Sequence, residues 1–392
     1  PFTIGELEEI YPTASAKAKE DEEYRERALN ATRLLQNGHR GYTAVWRHIM
    51  DVSVKDLKKN YENLNVTFDL WKGESDAQSD IPDMIGRLKA DGFAHIDQGA
   101  LVIDVQEESD TKEVPPCMIQ KSDGASLYGT TDLATLVQRR RDYDPDQIIY
   151  LADKRQELHF VQVFRSAKKT GIIAPETKLE FLGFGTMNGK DGKPFKTREG
   201  GIMRLESLIA DIEEEMYKKI TDNRTVEESE AKATAKIVGM SAIKYGDLSN
   251  QAAKDYVFDL DRFTSFTGNT GPYLLYTIVR IKSILKNYQE AGGQVEKAVI
   301  LPPKGDSERE LFLRLIRYNE VMENAFSELE PHKICQYLYE LSNGFNGFYR
   351  DHKILTEEDK ERQASWVRLI ILTRNVLVSG IHVLGFDAPD RM

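Results

Sequence analysis

Cysteine is nearly absent from this sequence. Cys117 and Cys335 are the only two, too few and too far apart for a disulfide framework or a cysteine-built zinc site. A reducing compartment, the cytoplasm, is therefore expected. No uninterrupted apolar run approaches the roughly 18–20 residues of a membrane-crossing helix, so no membrane partner is expected. The opening residues Pro1-Phe2-Thr3-Ile4-Gly5-Glu6 have neither the basic nor the apolar segment of a secretory signal. Positive charge is also short: Lys plus Arg number 53 against 64 Asp plus Glu, a net of −11. Taken alone, that balance speaks against a polyanionic partner.

What is present changes that reading. The chain has 392 residues and 40% hydrophobic content, which fits two or three folded domains and excludes wholesale disorder. Its charge is segregated. Residues 1–30 hold eight acids and four bases, and 205–230 hold nine acids and three bases. Residues 186–204 net +3, and 262–286 carry four bases and no acid. The distribution leaves room for a nucleic acid that the total would exclude.

Periodicity divides the chain. The acidic start reads as helix, and Thr43–Met50 continues through Val54, Leu57 and Tyr61 at helical spacing. Val66, Phe68 and Leu70 alternate with polar residues and predict a strand, as do Leu101–Val105. From Pro115 onward strands and helices alternate. A helix follows Tyr128, strands are predicted at 147–153 and 179–184, and a helix ending near Gly171 lies between them. That order implies a parallel sheet of the nucleotide-binding type, which takes ligands beyond the carboxyl ends of its strands. Beyond Arg204 nearly every segment is helical. The expected class is α/β plus all-α.

Several polar groups fall where such a sheet presents them. Tyr128 and Asp132 are four residues apart at a strand-to-helix junction, and Glu74 ends the preceding predicted strand. Two carboxylates and a phenol suit a planar cation, because a guanidinium offers five donors in a fixed fork. Blander roles also fit: Asp132 as a first-turn acid, and Gln156 as the far end of a capping box begun by Asp153. The segment Gly189–Gly201 is glycine-rich and carries Lys190, Lys193, Lys196 and Arg198, cations suited to clamping phosphates. In the helical part, Arg262, Tyr273, Arg280, Trp366 and Arg368 lie in basic stretches interleaved with aromatics, a composition suited to folded RNA.

In order along the chain, Phe68-Asp69-Leu70-Trp71-Lys72-Gly73-Glu74-Ser75, Leu127-Tyr128-Gly129-Thr130-Thr131-Asp132, Gln156-Glu157-Leu158-His159, Gly189–Gly201 and Thr267-Gly268-Asn269-Thr270-Gly271-Pro272-Tyr273 resemble arginyl-tRNA synthetases, a class I aminoacyl-tRNA synthetase family. The ending Leu384–Met392 looks like that family's C-terminus. The resemblance implies a Rossmann-type catalytic domain, expected over 1–204 with a helical insertion. A helical linker at 205–254 and a DALR-type anticodon-binding bundle at 255–392 would follow. It implies that Glu74, Tyr128 and Asp132 bind the arginine side chain, with Gln156 at the same pocket. The basic loop would correspond to the family's Lys-Met-Ser-Lys-Ser signature, with Lys193, Lys196 and Arg198 on the phosphates.

The implied reaction joins L-arginine to tRNA(Arg) with ATP and Mg2+, on a monomer with no metal site of its own. Two departures stand out. Thr130-Thr131-Asp132 replaces the family's usual Thr-Arg-Asp. No His-Ile-Gly-His motif occurs, since His39, His48, His95 and His159 all fall outside that pattern. The family's first Rossmann half and its D-loop-binding domain are therefore expected upstream of Pro1, leaving a fragment that binds tRNA without activating arginine as the alternative function.

Overall fold

The computed structural model describes residues 2–193, 203–222, 227–294 and 299–392. The chain forms two compact units, Pro1–Glu62 with Thr67–Phe184, and Asn63–Val66 with Gly185–Met392.

The first unit opens with helices α1 (Ile4–Glu20), α2 (Glu22–Gln36) and α3 (Arg40–Asn63). Thr3 and Glu6 close a capping box on α1, and the Asp21 carboxylate accepts from Tyr24 N at 3.0 Å to start α2. None of the three contributes a buried residue. The strand expected at Val66, Phe68 and Leu70 does not form, and residues 66–73 are irregular. Phe68 and Trp71 instead turn edge-on against Tyr61 of α3, with centroids 4.8 and 5.7 Å away. Alternating apolar residues are spent on a local aromatic cluster rather than on a sheet face.

A 3-10 turn over Glu74–Asp80 leads into α4 (Ile81–Ala90). Strands β1 (His95–Asp97), β2 (Ala100–Ile103) and β3 (Cys117–Gln120) make an antiparallel meander. The link Gln98-Gly99 has φ of 47° and 84° at its two residues, a two-residue hairpin turn. Helix α5 (Tyr128–Tyr143), β4 (Gln147–Asp153), α6 (Glu157–Lys169) and β5 (Lys178–Phe184) follow. Strands β4 and β5 pair in parallel from Gln147↔Lys178 to Asp153↔Phe184, with α6 as the crossover the spacing implied. The parallel sheet is small, since β3 joins the antiparallel meander and not β4. Leu88, Ile103, Ile119, Leu133, Leu136 and Val163 are wholly inaccessible and form the centre of this unit's core.

In the second unit β6 (Met187–Asn188) pairs in parallel with β7 (Tyr256–Val257). Between them lie α7 (Leu205–Thr221) and α8 (Glu228–Leu248); α9 (Leu260–Phe263) and α10 (Gly271–Glu290) follow. The chain ends with α11 (Asp306–Ile316), α12 (Tyr318–Glu328), α13 (Pro331–Asp351) and α14 (Lys360–Val383). One core joins Ile212, Tyr245, Leu274, Leu311, Leu338 and Ile370, so α7 and α8 belong to the same packed body as the later helices. Gly271 starts α10 hard against α8, where a Cβ would lie 2.2 Å from Ser241 O; only glycine permits that approach.

Helix α14 is long and apolar enough to cross a membrane by length and composition, a property that a search for uninterrupted apolar runs misses. Trp366, Val367, Ile370, Leu377 and Ile381 nevertheless face the bundle's core, which accounts for its hydrophobicity.

Candidate active site

The polar groups picked out in the first unit sit on three local structures: α5 carries Tyr128 and Asp132, a 3-10 turn carries Glu74, and the turn before α6 carries Gln156. Helix α5 begins at Tyr128 because Gly129 lets its first turn lie on β3, where a Cβ would meet Met118 O at 2.8 Å. Thr130 then fixes the start: its hydroxyl accepts from Leu127 N at 3.0 Å and donates to Ile119 O at 2.7 Å. Starting there, Tyr128 and Asp132 are one helical turn apart on one face. Asp132 lies beyond the first turn, so the macrodipole does not explain it. Tyr128 is 69% exposed and open to a ligand.

Glu74 opens the 3-10 turn, which is pinned to α5 from beneath. Gly73 N donates to Asp76 Oδ2 at 2.7 Å, Gln138 Nε2 donates to Asp76 O at 3.2 Å, and Lys72 Nζ donates to Gln138 Oε1 at 3.0 Å. Arg141 also pairs with Asp80. Although Glu74 as a whole residue is exposed, its carboxyl is partly desolvated. That desolvation, and then the charge of Asp132, push its pKa above the ordinary 4.5. The Asp132 charge thus reaches the Glu74 carboxyl and opposes its ionisation.

Gln156 ends a short 3-10 turn and caps α6 by position, with no side-chain cap bond. The expected capping box does not form: the Asp153 carboxylate accepts from Arg155 N at 2.9 Å, one residue short of the box. Its side chain is exposed.

Sequence reasoning passed over one member of the group. His159, in the first turn of α6, places Nε2 2.6 Å from Asp132 Oδ2, with the two side chains 28% and 23% exposed. A signal was available, because Gln156 and His159 stand three apart and so share a helix face.

The phosphate-side cations belong to the second unit. Lys193 is exposed and closes a tight turn, with its carbonyl accepting from Gly189 N at 2.7 Å. Lys196 and Arg198 lie outside the described residues. Lys190 is engaged with Asp259 at 3.1 Å.

The residues expected on RNA divide. Arg280 lies over the Tyr276 ring, 4.8 Å from its centroid, and donates to Asn346 Oδ1 at 2.8 Å. The Tyr273 hydroxyl donates to Asn343 Oδ1 at 2.6 Å and accepts from Asn346 Nδ2 at 2.9 Å. Tyr276, Arg280, Lys282, Lys286, Tyr349 and Arg391 line a groove of about 840 Å³. Arg262 and Arg368 are exposed. Trp366 is a correction: it is only 7% exposed, and its indole N–H donates to Glu308 Oε1 at 3.2 Å. A ring held in the core beside Phe348 and His352 cannot stack on a base.

Residues 2–260 match the family model for the catalytic domain of class I tRNA synthetases (R), and residues 274–392 match the DALR anticodon binding domain. The whole chain aligns at 60% identity with an arginine–tRNA ligase of Agathobacter rectalis, and at 55% with one of Alkaliphilus oremlandii. The chain belongs to the arginyl-tRNA synthetase family. It spans 67% of the length of each of those relatives. Its fold is that of the Plasmodium falciparum arginyl-tRNA synthetase, with a TM-score of 0.81 at 24% identity over 95% of this chain and 62% of the other. With the family known, the early argument from net charge falls, since an acidic total coexists with the acid-free basic stretch 262–286.

Proposed function

We propose that the protein carrying this chain ligates L-arginine to tRNA(Arg) with ATP, as a cytoplasmic monomer. The observation that carries this reading is the Asp132 charge acting on the Glu74 carboxyl, with the exposed Tyr128 one helical turn from Asp132. A guanidinium between the carboxylates relieves their mutual repulsion and satisfies both with charged hydrogen bonds, worth roughly 1.5–3 kcal/mol each. Tyr128 and Gln156 border the same ligand. A neutral side chain leaves the carboxylates unpaired, and an ammonium lacks the planar fork that fits them.

The arginine carboxylate then attacks the α-phosphate of ATP, forming arginyl-adenylate and releasing pyrophosphate. The terminal ribose hydroxyl of tRNA attacks the acyl carbon and releases AMP. Neither step needs a protein nucleophile, so catalysis is positioning and charge stabilisation. Lys193, Lys196 and Arg198 supply cations to the phosphates, and Mg2+ enters as the counter-ion of ATP. Arg262, Tyr273, Arg280 and Arg368 meet the tRNA. Arginine-dependent pyrophosphate exchange by the whole protein, with tRNA present, tests this reading; equal use of lysine would sink it.

A second reading has its own observation: the second unit builds its own core and carries a groove lined by Tyr276, Arg280 and Tyr349. In that reading the chain by itself binds tRNA without activating arginine. Titration of tRNA binding against salt tests it. Four to eight phosphate contacts give a log–log slope of roughly −4 to −7, whereas a flat dependence removes the groove as an RNA site.

A further inference from the structure

We propose that His159 is a positioning residue for arginine selection, acting through Asp132. The inference rests on the arginine-pocket reading above and assigns part of its specificity to a residue outside the carboxylate pair. Nε2 of His159 lies 2.6 Å from Oδ2 of Asp132. With the proton on Nε2, the imidazole donates to one carboxylate oxygen and fixes the plane of the group. Oδ1 then remains to receive a guanidinium N–H. A carboxylate held by one oxygen meets a fork-shaped donor in one orientation, whereas an unheld carboxylate rotates and pairs with any cation or with water.

The imidazole is itself held. The 3-10 turn that leads into α6 is capped by Asp153, whose carboxylate accepts from Arg155 N. Phe160, the next residue, stacks on Phe181 of β5 with centroids 5.0 Å apart and planes at 20°. On the following turn Gln162 Nε2 donates to Pro115 O at 2.8 Å. The helix cannot slide along α5 without breaking these contacts. His159 touches no reacting atom, so its effect belongs to arginine binding and discrimination, not to adenylate formation.

The test is steady-state pyrophosphate exchange by the whole protein with tRNA present, comparing wild type, His159→Ala and His159→Gln. Separate KM values are measured for arginine and for ATP. His159→Ala is expected to raise the arginine KM about tenfold, leaving the ATP KM and kcat within about threefold of wild type. His159→Gln, whose amide can put a donor where Nε2 stood, is expected to restore the arginine KM to within about threefold. An unchanged arginine KM in His159→Ala overturns the proposal, as does a fall in kcat with KM unchanged. Should His159→Ala fail to fold, a folded His159→Gln whose arginine KM rises as much as that of His159→Phe overturns it equally. If wild type shows no arginine-dependent exchange, the pocket reading fails and the inference falls with it; exchange in wild type with no effect at residue 159 removes the inference alone.

Discussion

Asp132 and Glu74 stand close enough that the charge on one raises the proton affinity of the other, on top of the desolvation that Glu74 already suffers. The Glu74 titration is visible in binding. Glu74 takes up its proton at a pH above the ordinary carboxylate value of 4.5, so arginine affinity should begin to fall at milder acidity than a free glutamate would dictate. Glu74→Gln should weaken binding at neutral pH and abolish that part of the pH profile. Calorimetry with arginine between pH 7 and 4 checks both.

The carboxylates should differ from the phenol in weight. Glu74→Gln and Asp132→Asn each remove a charged partner, so the arginine KM should rise roughly tenfold to a hundredfold, following about 1.5–3 kcal/mol per charged hydrogen bond. Tyr128→Phe keeps the ring and loses only a neutral hydroxyl, and should cost about 0.5–1.5 kcal/mol. Exchange kinetics on the three variants order them.

Stability of the helical unit depends on an ion pair almost without water. Arg362 Nη1 lies 3.4 Å from Glu308 Oε1, with the side chains 8% and 1% exposed. The same carboxylate takes the Trp366 indole N–H, and Lys304 N donates to its second oxygen at 3.0 Å. Glu308→Ala strands a buried guanidinium and an indole donor, and should cost about 3–5 kcal/mol in urea unfolding. The double variant Glu308→Leu, Arg362→Met should recover much of that loss, because a buried pair replaced by apolar groups is often close to neutral.

In the first unit, Asp110 is held by Arg165 at 2.6 and 2.7 Å. The hydrogen bonds from Arg165, and then from the Glu107 backbone, bring the Asp110 pKa down from 3.8 to about 2. A folded-state pKa below the unfolded one gives stability that is complete above the unfolded value and disappears as the pH falls through the folded one. Asp110→Asn should therefore lower stability at neutral pH and flatten the acid-unfolding curve between pH 4 and 2, read by circular dichroism.

Much of the fold was legible because its signals are local. The β4–α6–β5 crossover and α5 follow from alternation, helical spacing and Gly171, whose φ of +65° ends the α6 turn. The false strand at 66–70 shows the limit: a period of two records which residues are apolar, not what covers them, and here Tyr61 covers Phe68 and Trp71. Trp366 failed as an RNA contact for a related reason. A tryptophan beside arginines reads as a stacking platform until Glu308, 58 positions away in sequence, is seen to hold its N–H. His159 escaped notice because its partner is on another helix, 27 residues back. Tyr128 and Asp132 could be placed one turn apart because the start of α5 is a local signal, whereas the strand expected before Glu74 is replaced by a 3-10 turn.

The most direct test is pyrophosphate exchange by the whole protein, with tRNA present and arginine or lysine as the amino acid. Exchange should depend on arginine, lysine should support little of it, and Glu74→Gln should raise the arginine KM at neutral pH. Exchange with lysine equal to that with arginine, or an arginine KM untouched by Glu74→Gln, would contradict the assignment of this pocket.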